Sequence, residues 1–263
     1  TPLKNNADSS AQTDVLFQGN IFKNTFGGIS VNSPKGSISR VRITGNTIDT
    51  SPWSLKAAAG QFLISVAGAT NVQISGNTLT GTADHAIHIE GDGADRLVVM
   101  QNIVNIDGVS GILLLSNNIS TAGGAYVPIK DLIITDNVVT KTGTQATGTG
   151  IAIGNAGHAP AVLAGIVSRN IVKNWSYGIS SDNLPEDGVA IKDNYISDCI
   201  YGLHLDYGMP SADGNLLVNN TTGVGVVAGG TLGKNVFQGN ATNWEATAKN
   251  FQMSGFRVLV PKF

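Results

Sequence analysis

Apolar and polar positions along the chain keep falling into one short phrase. It reads "VRITGNTIDT" at 41–50, "VQISGNTLTG" at 72–81, "LVVMQNIVNI" at 97–106, "LIITDNVVTK" at 132–141 and "VAIKDNYISD" at 189–198. An asparagine anchors each copy. Taking Asn20, Asn46, Asn77, Asn102, Asn137, Asn170, Asn194, Asn219 and Asn240 as anchors, the spacing varies between 21 and 35 residues. The positions five before, three before and two after each anchor are mostly apolar, as in Val41, Ile43 and Ile48 or Leu132, Ile134 and Val139. Alternation with a period of two predicts strands with one buried face.

A second phrase follows in most repeats: "GGISV" (27–31), "HAIHIE" (85–90), "SGILLL" (110–115), "TGIAIG" (149–154), "YGISSD" (177–182) and "YGLHLD" (201–206). Its small residue makes a bend, and the next apolar pair again points inward. Each unit therefore holds two or three short strands, and nothing of helical length shows a 3.6-residue period. Such units cannot bury their apolar faces alone. Stacked in parallel at about 4.8 Å, they bring like residues into columns. The asparagine is then expected to turn inward and bond to the asparagines above and below it.

The expected architecture is all-β: a right-handed, single-stranded parallel β-helix of about nine coils. In these repeats the sequence resembles the right-handed β-helix superfamily typified by pectate lyases and phage tailspikes, over roughly residues 15–243. Residues 1–14 read as a polar arm. Residues 244–263, ending in the apolar "FRVLVPKF", read as a cap on the last coil or a contact with another subunit.

Composition narrows the function. Only 13% of the residues are charged and the formal net charge is −2, which argues against a nucleic-acid partner. No apolar run approaches the length that spans a bilayer. A single cysteine, Cys199, excludes an internal disulfide. The chain opens on Thr1 with no visible leader and no capping helix, which suggests a processed or partial protein. No nucleotide, flavin or metal-ligand motif appears, and no cofactor is expected. Apolar residues at outward positions (Val98, Met100, Ile133, Ile166, Leu113, Leu115) suggest either covering loops or a homotrimer.

The alternation also ranks the candidate chemistry. One outward column should hold Ser30, Ser65, His88, Leu113, Ala152, Ser180 and His204. Two residues further on, another should hold Asn32, Glu90, Leu115, Gly154, Asp182 and Asp206. Two clusters result. In the first, His88 and Glu90 share a strand face, with Asp84, His85 and Asp92 at the turns. The second is the stronger. There Asp182 and Asp206 are equivalent positions one coil apart, His204 stands beside Asp206, and Glu186 adjoins them. Stacked carboxylates drive their pKa values apart, as an acid–base pair needs. Asp182, Asp206, His204 and Glu186 are thus the candidate catalytic groups. Trp175, Tyr177, Tyr201, Tyr207, His88 and Glu90 are the candidate contacts to sugar.

The short motifs of polygalacturonases, pectate lyases and alginate epimerases are missing, so no residue is carried over from those enzymes. The resemblance to tailspikes implies acidic residues on a solenoid flank, which Asp182, Glu186 and Asp206 match. The expected function is binding and cleavage of a polysaccharide, as hydrolase or lyase, outside the cell or on a virion surface. The alternatives are a non-catalytic glycan-binding or adhesive module and a structural β-helix fragment.

Overall fold

A computed structural model describes residues 12–32, 38–50, 60–90, 96–115, 129–143, 147–154, 162–181, 188–206, 210–227, 230–246, 251–255 and 257–259. These residues form a right-handed parallel β-helix. Every strand pairing is parallel. The first sheet has eleven strands, and the first two of these both pair with Ile38–Thr44, so it rises through ten levels. After each strand of the first sheet from Leu16–Gln18 to Gly230–Leu232 the chain turns at an asparagine and enters a short strand such as Thr47–Asp49. It then bends again into a longer strand such as Phe62–Ala67. In two coils these last two strands run together, as Thr78–Glu90 and Ile103–Leu115.

Stacking turns the repeat into columns. Ile43, Ile74, Val99, Ile134, Val167 and Ile191 are successive partners in the first sheet. On the facing side, Ile64, Ile87, Ile112, Ile151, Ile179, Leu203 and Val224 do the same. All are fully buried, and each such side chain contributes about 1.5–3 kcal/mol by leaving water. The core is this axial rod of aliphatic side chains.

Asparagines form a second rod. Each inward amide group donates to the carbonyl oxygen of the next amide at 2.9–3.0 Å, in the order Asn20, Asn46, Asn77, Asn102, Asn137, Asn170, Asn194, Asn215 and Asn235. The series corrects the expected anchors at its end: it continues through Asn215 and Asn235, not Asn219 and Asn240. Asn220 and Asn240 belong to a separate, shorter ladder one turn later in the coil. Asn219 is an exposed turn residue with φ 54°.

The stacking begins at Gln12 and continues past residue 243. Thr242–Ala246, Phe251–Met253 and Arg257–Leu259 each pair with the coil beneath. The closing segment expected after 243 therefore extends the solenoid. Trp244 stands at the end of the buried column, 5.9 Å from the Phe237 ring. Among the described residues no helix is long and apolar enough to cross a membrane.

Candidate functional site

The outward faces of the longer strands line up as the alternation requires. Ser30, Ser65, His88, Leu113, Ala152, Ser180 and His204 are consecutive register partners. The column then continues to Gly225 and Glu245. A neighbouring column, three residues earlier in each strand, carries Phe62, His85, Ser110, Thr149, Tyr177, Tyr201 and Thr222. Along one flank the fold therefore gathers three of the chain's four histidines and two of its five tyrosines.

Toward the C-terminal end, the Tyr177 and Tyr201 rings stack at 5.5 Å. The His204 imidazole lies 4.6 Å from Tyr177 and 5.4 Å from Tyr201. Asp206 sits two residues beyond His204, and its amide bonds to the Ser181 carbonyl at 2.9 Å, which prolongs the ladder past the strand end. Burial lowers the His204 pKa below the ordinary histidine value; the charges of Asp206 and Glu245 oppose this without overcoming it. Tyr201 is shifted the other way. Its hydrogen bond to Glu245 comes first among the causes, followed by burial and the Glu245 charge. At neutral pH the cluster thus offers a neutral imidazole and a protonated phenol side by side, a base and an acid.

A glycine makes the Tyr201–Glu245 contact possible. Glu245 lies two coils beyond His204, with Gly225 between them in the column. A Cβ on Gly225 would stand 3.0 Å from the Tyr201 ring. The ring occupies that space. Glu245 is the residue the sequence reading missed. The signal was present in the shared spacing of "YGLHLD", "TGVGVV" and "TNWEAT", but only if the solenoid is carried past residue 243.

Of the other expected catalytic groups, Asp182 and Glu186 lie outside the described residues, as do the candidate contact Tyr207 and the turn residue Asp92. The register is intact up to Ser181, which faces Leu205. Trp175 requires a correction. Its ring is fully buried, and its indole N–H donates to the Val139 carbonyl at 3.3 Å. Gly111, Gly148 and Gly150 leave room for it, and the buried Lys141 ammonium lies 5.1 Å from its ring. Trp175 fills the core and cannot reach a sugar. Cys199, buried near it, has its thiol pKa pushed up to about 12 by burial and is no nucleophile at neutral pH.

The N-terminal cluster is a three-ring pile. His88 lies 4.2 Å from Phe62 and 5.3 Å from His85. His88 Nε2 is 3.5 Å from Glu90, and His85 Nε2 is 3.7 Å from Asp84. Asp84 also accepts from the Gly60 amide at 2.9 Å. His88 faces outward as expected, yet it is only 5% exposed. It therefore supports Phe62 and its neighbours and offers almost no surface of its own. Burial, aided by repulsion from His85, depresses its pKa to about 4. Among the described residues no group of three or more histidine, cysteine or acidic side chains is arranged to hold a metal ion.

A comparison with curated proteins finds no match. The family model for the right handed beta helix region matches residues 5–164, the stretch that carries the asparagine ladder up to Asn137 and the first ring cluster. With more than half of its length so matched and the stacked coils in place, the chain belongs to the right-handed β-helix family.

Proposed function

We propose that this β-helix binds a polysaccharide along the flank of its longer strands and cleaves a glycosidic bond at His204. The observation that supports it best is the convergence of Tyr177, Tyr201, His204 and Glu245 on two adjacent outward columns, with Asp206 two residues beyond His204. Stacked tyrosine rings offer flat apolar faces to sugar rings. The neutral imidazole and the protonated phenol supply proton transfer, and Asp206 and Glu245 bias their protonation. Two acids beside the imidazole favour a neutral glycan over an anionic one, because like charges repel. The reading places the protein outside the cell or on a virion surface, where such polymers occur. It also assigns Val98, Ile133 and Ile166, half-buried register partners on the first sheet, to contact between copies in a homotrimer; light scattering measures that mass directly.

The test is release of reducing ends from a panel of neutral and acidic polysaccharides. His204→Gln, Asp206→Asn and Glu245→Gln are compared with the unaltered chain. His204→Gln should lower kcat about 100-fold or more, the usual yield of a positioned acid or base. A product with ultraviolet absorbance marks elimination, and its lack marks hydrolysis. The rate should fall in acid with an apparent pKa below 6.5, since a depressed His204 must stay neutral to accept a proton. Full activity in all three variants would remove the assignment. Binding without turnover would leave a glycan-recognition module.

A further inference from the structure

A different face carries a feature that the His204 cluster does not use. Near the N-terminal end of the first sheet, a depression of about 600 Å³ opens on the outward side. Three of the chain's five arginines, Arg40, Arg42 and Arg96, line it together with Asn71, Gln73 and a single carboxylate, Asp14. The backbone sets this grouping up. Ile38 and Val41 are both buried although three residues apart, and Arg40 between them takes the left-handed conformation at φ 54°. The extra residue is a bulge that leaves both Arg40 and Arg42 exposed. Asn71 repeats the device one level on, at φ 53° before the buried Val72.

The charges in the depression do not cancel. Arg40 forks onto Asp14 at 2.7 and 2.8 Å. Arg96 reaches out of the depression to Asp131 at 3.3 Å. Arg42 makes no ion pair among the described residues and meets Asp14 only as a more distant charge. Its register partners are Leu16 on one side and Gln73 on the other. The Asn71 side chain has no hydrogen bond among the described residues. Gln73 donates to the Ser75 hydroxyl at 3.2 Å and keeps its carbonyl oxygen open. What the lining offers is therefore one guanidinium fork, which suits an oxyanion, beside amides that suit hydroxyls. The volume exceeds what a bare inorganic anion fills and lies within the range of small-ligand sites.

We infer that this depression binds an acidic sugar, with its carboxylate or sulfate on the Arg42 fork and its hydroxyls on Asn71 and Gln73. The site lies on another sheet than His204 and takes a charged ligand where the His204 flank favours a neutral one, so the two readings can fail separately. Val98, at the start of the apolar column assigned above to contact between copies, also lines it, which puts the depression at the rim of that contact.

The test uses isotope-labelled full chain and follows the backbone amide signals of Arg42, Asn71 and Gln73 by NMR. The probes are methyl glucuronide, glucose 6-sulfate, methyl glucoside, inorganic sulfate and acetyl-glutamate amide. Saturable shifts are expected with one or both of the first two, and which of them binds tells a carboxylate from a sulfate ligand. The neutral glucoside should give none. Inorganic sulfate and the glutamate amide, which carry the anion without the sugar hydroxyls, should bind at least about tenfold more weakly. Arg42→Gln should weaken the acidic sugar about tenfold or more, and Arg42→Lys, which keeps the charge and loses the fork, should fall between the two. Arg42 is exposed, so both variants should keep the melting temperature. His204→Gln should leave the shifts unchanged. No shift with either acidic sugar, equal binding of the glucoside, equal binding by Arg42→Gln, or binding of inorganic sulfate or the glutamate amide as tight as that of the sugars overturns the inference.

Discussion

Asn137 shows what one inward amide does for the whole. Its Nδ2 donates to Asn170, Val99 and Thr135, and its Oδ1 accepts from both the amide and the side chain of Asn102. Removing the side chain strands the buried Asn102 backbone N–H, at about 1–3 kcal/mol, and takes a donor from the Asn170, Val99 and Thr135 oxygens, while the Asn102 side chain keeps the Ile74 and Met100 carbonyls. Asn137→Ala should therefore lose about 3 kcal/mol or more in urea unfolding, whereas Asn20→Ala, at the exposed end of the ladder, should lose under about 1 kcal/mol. His88 makes a prediction about pH. Its folded pKa of about 4 lies below the ordinary 6.5. Its contribution is complete above pH 6.5. It falls as the pH drops toward 4, because the unfolded chain takes up a proton that the folded chain refuses. His85, Asp84 and Glu90 face it. Between pH 7 and 5 this one group should cost about 2 kcal/mol, and His88→Leu, which copies its column neighbour Leu113, should remove that share of the slope. The inward asparagines were legible in the sequence because their spacing recurs. Trp175 was not. "NWSYG" looks like a polar turn, and the glycines that make a berth for its ring lie in other coils.

At the scale of the coil, the turn is a two-residue device. The residue before every ladder asparagine except Asn235 adopts the left-handed conformation, as in Gly45 before Asn46, Gly76 before Asn77, Gln101 before Asn102, Asp136 before Asn137 and Asp193 before Asn194. Glycine takes this φ freely, while other residues pay about 1–2 kcal/mol. Gly76→Val should then destabilise by about 1–2 kcal/mol, and Gln101→Gly should stabilise by about 0.5–1 kcal/mol after the unfolded-state entropy is counted; thermal melts of the two variants check both signs. Arg169 and Asp136 recover part of the cost through a two-pronged contact at 2.8 Å between adjacent turns. This device explains the misplaced anchors near the C-terminus. Asn219 occupies the left-handed position and Asn220 the inward one, so an asparagine pair there mimics the start of a new repeat. Turn chemistry, more than periodicity, decides which asparagine is structural.

For the whole molecule, stacking makes residues two dozen apart into neighbours, and this is why half of the site could be read in advance. His204, Tyr177, Tyr201 and Asp206 follow directly from counting along strands. Glu245 needs one more coil, and the burial of His88 needs the ring of Phe62 from the coil before it, which no linear pattern displays. Stability in such a rod is close to a sum over adjacent levels, so hydrogen exchange should be slowest for amides in the middle, such as Val99 and Ile134, and faster toward Phe17 and Leu232. One absent side chain carries a consequence of its own. Because residue 225 has no Cβ, the phenol of one level reaches a carboxylate two levels away. A single added methyl group there would act as a shim between two proton carriers while leaving both chemically intact. On the proposed reading of this flank, evolution or an engineer could throttle turnover at that notch without touching a reacting atom.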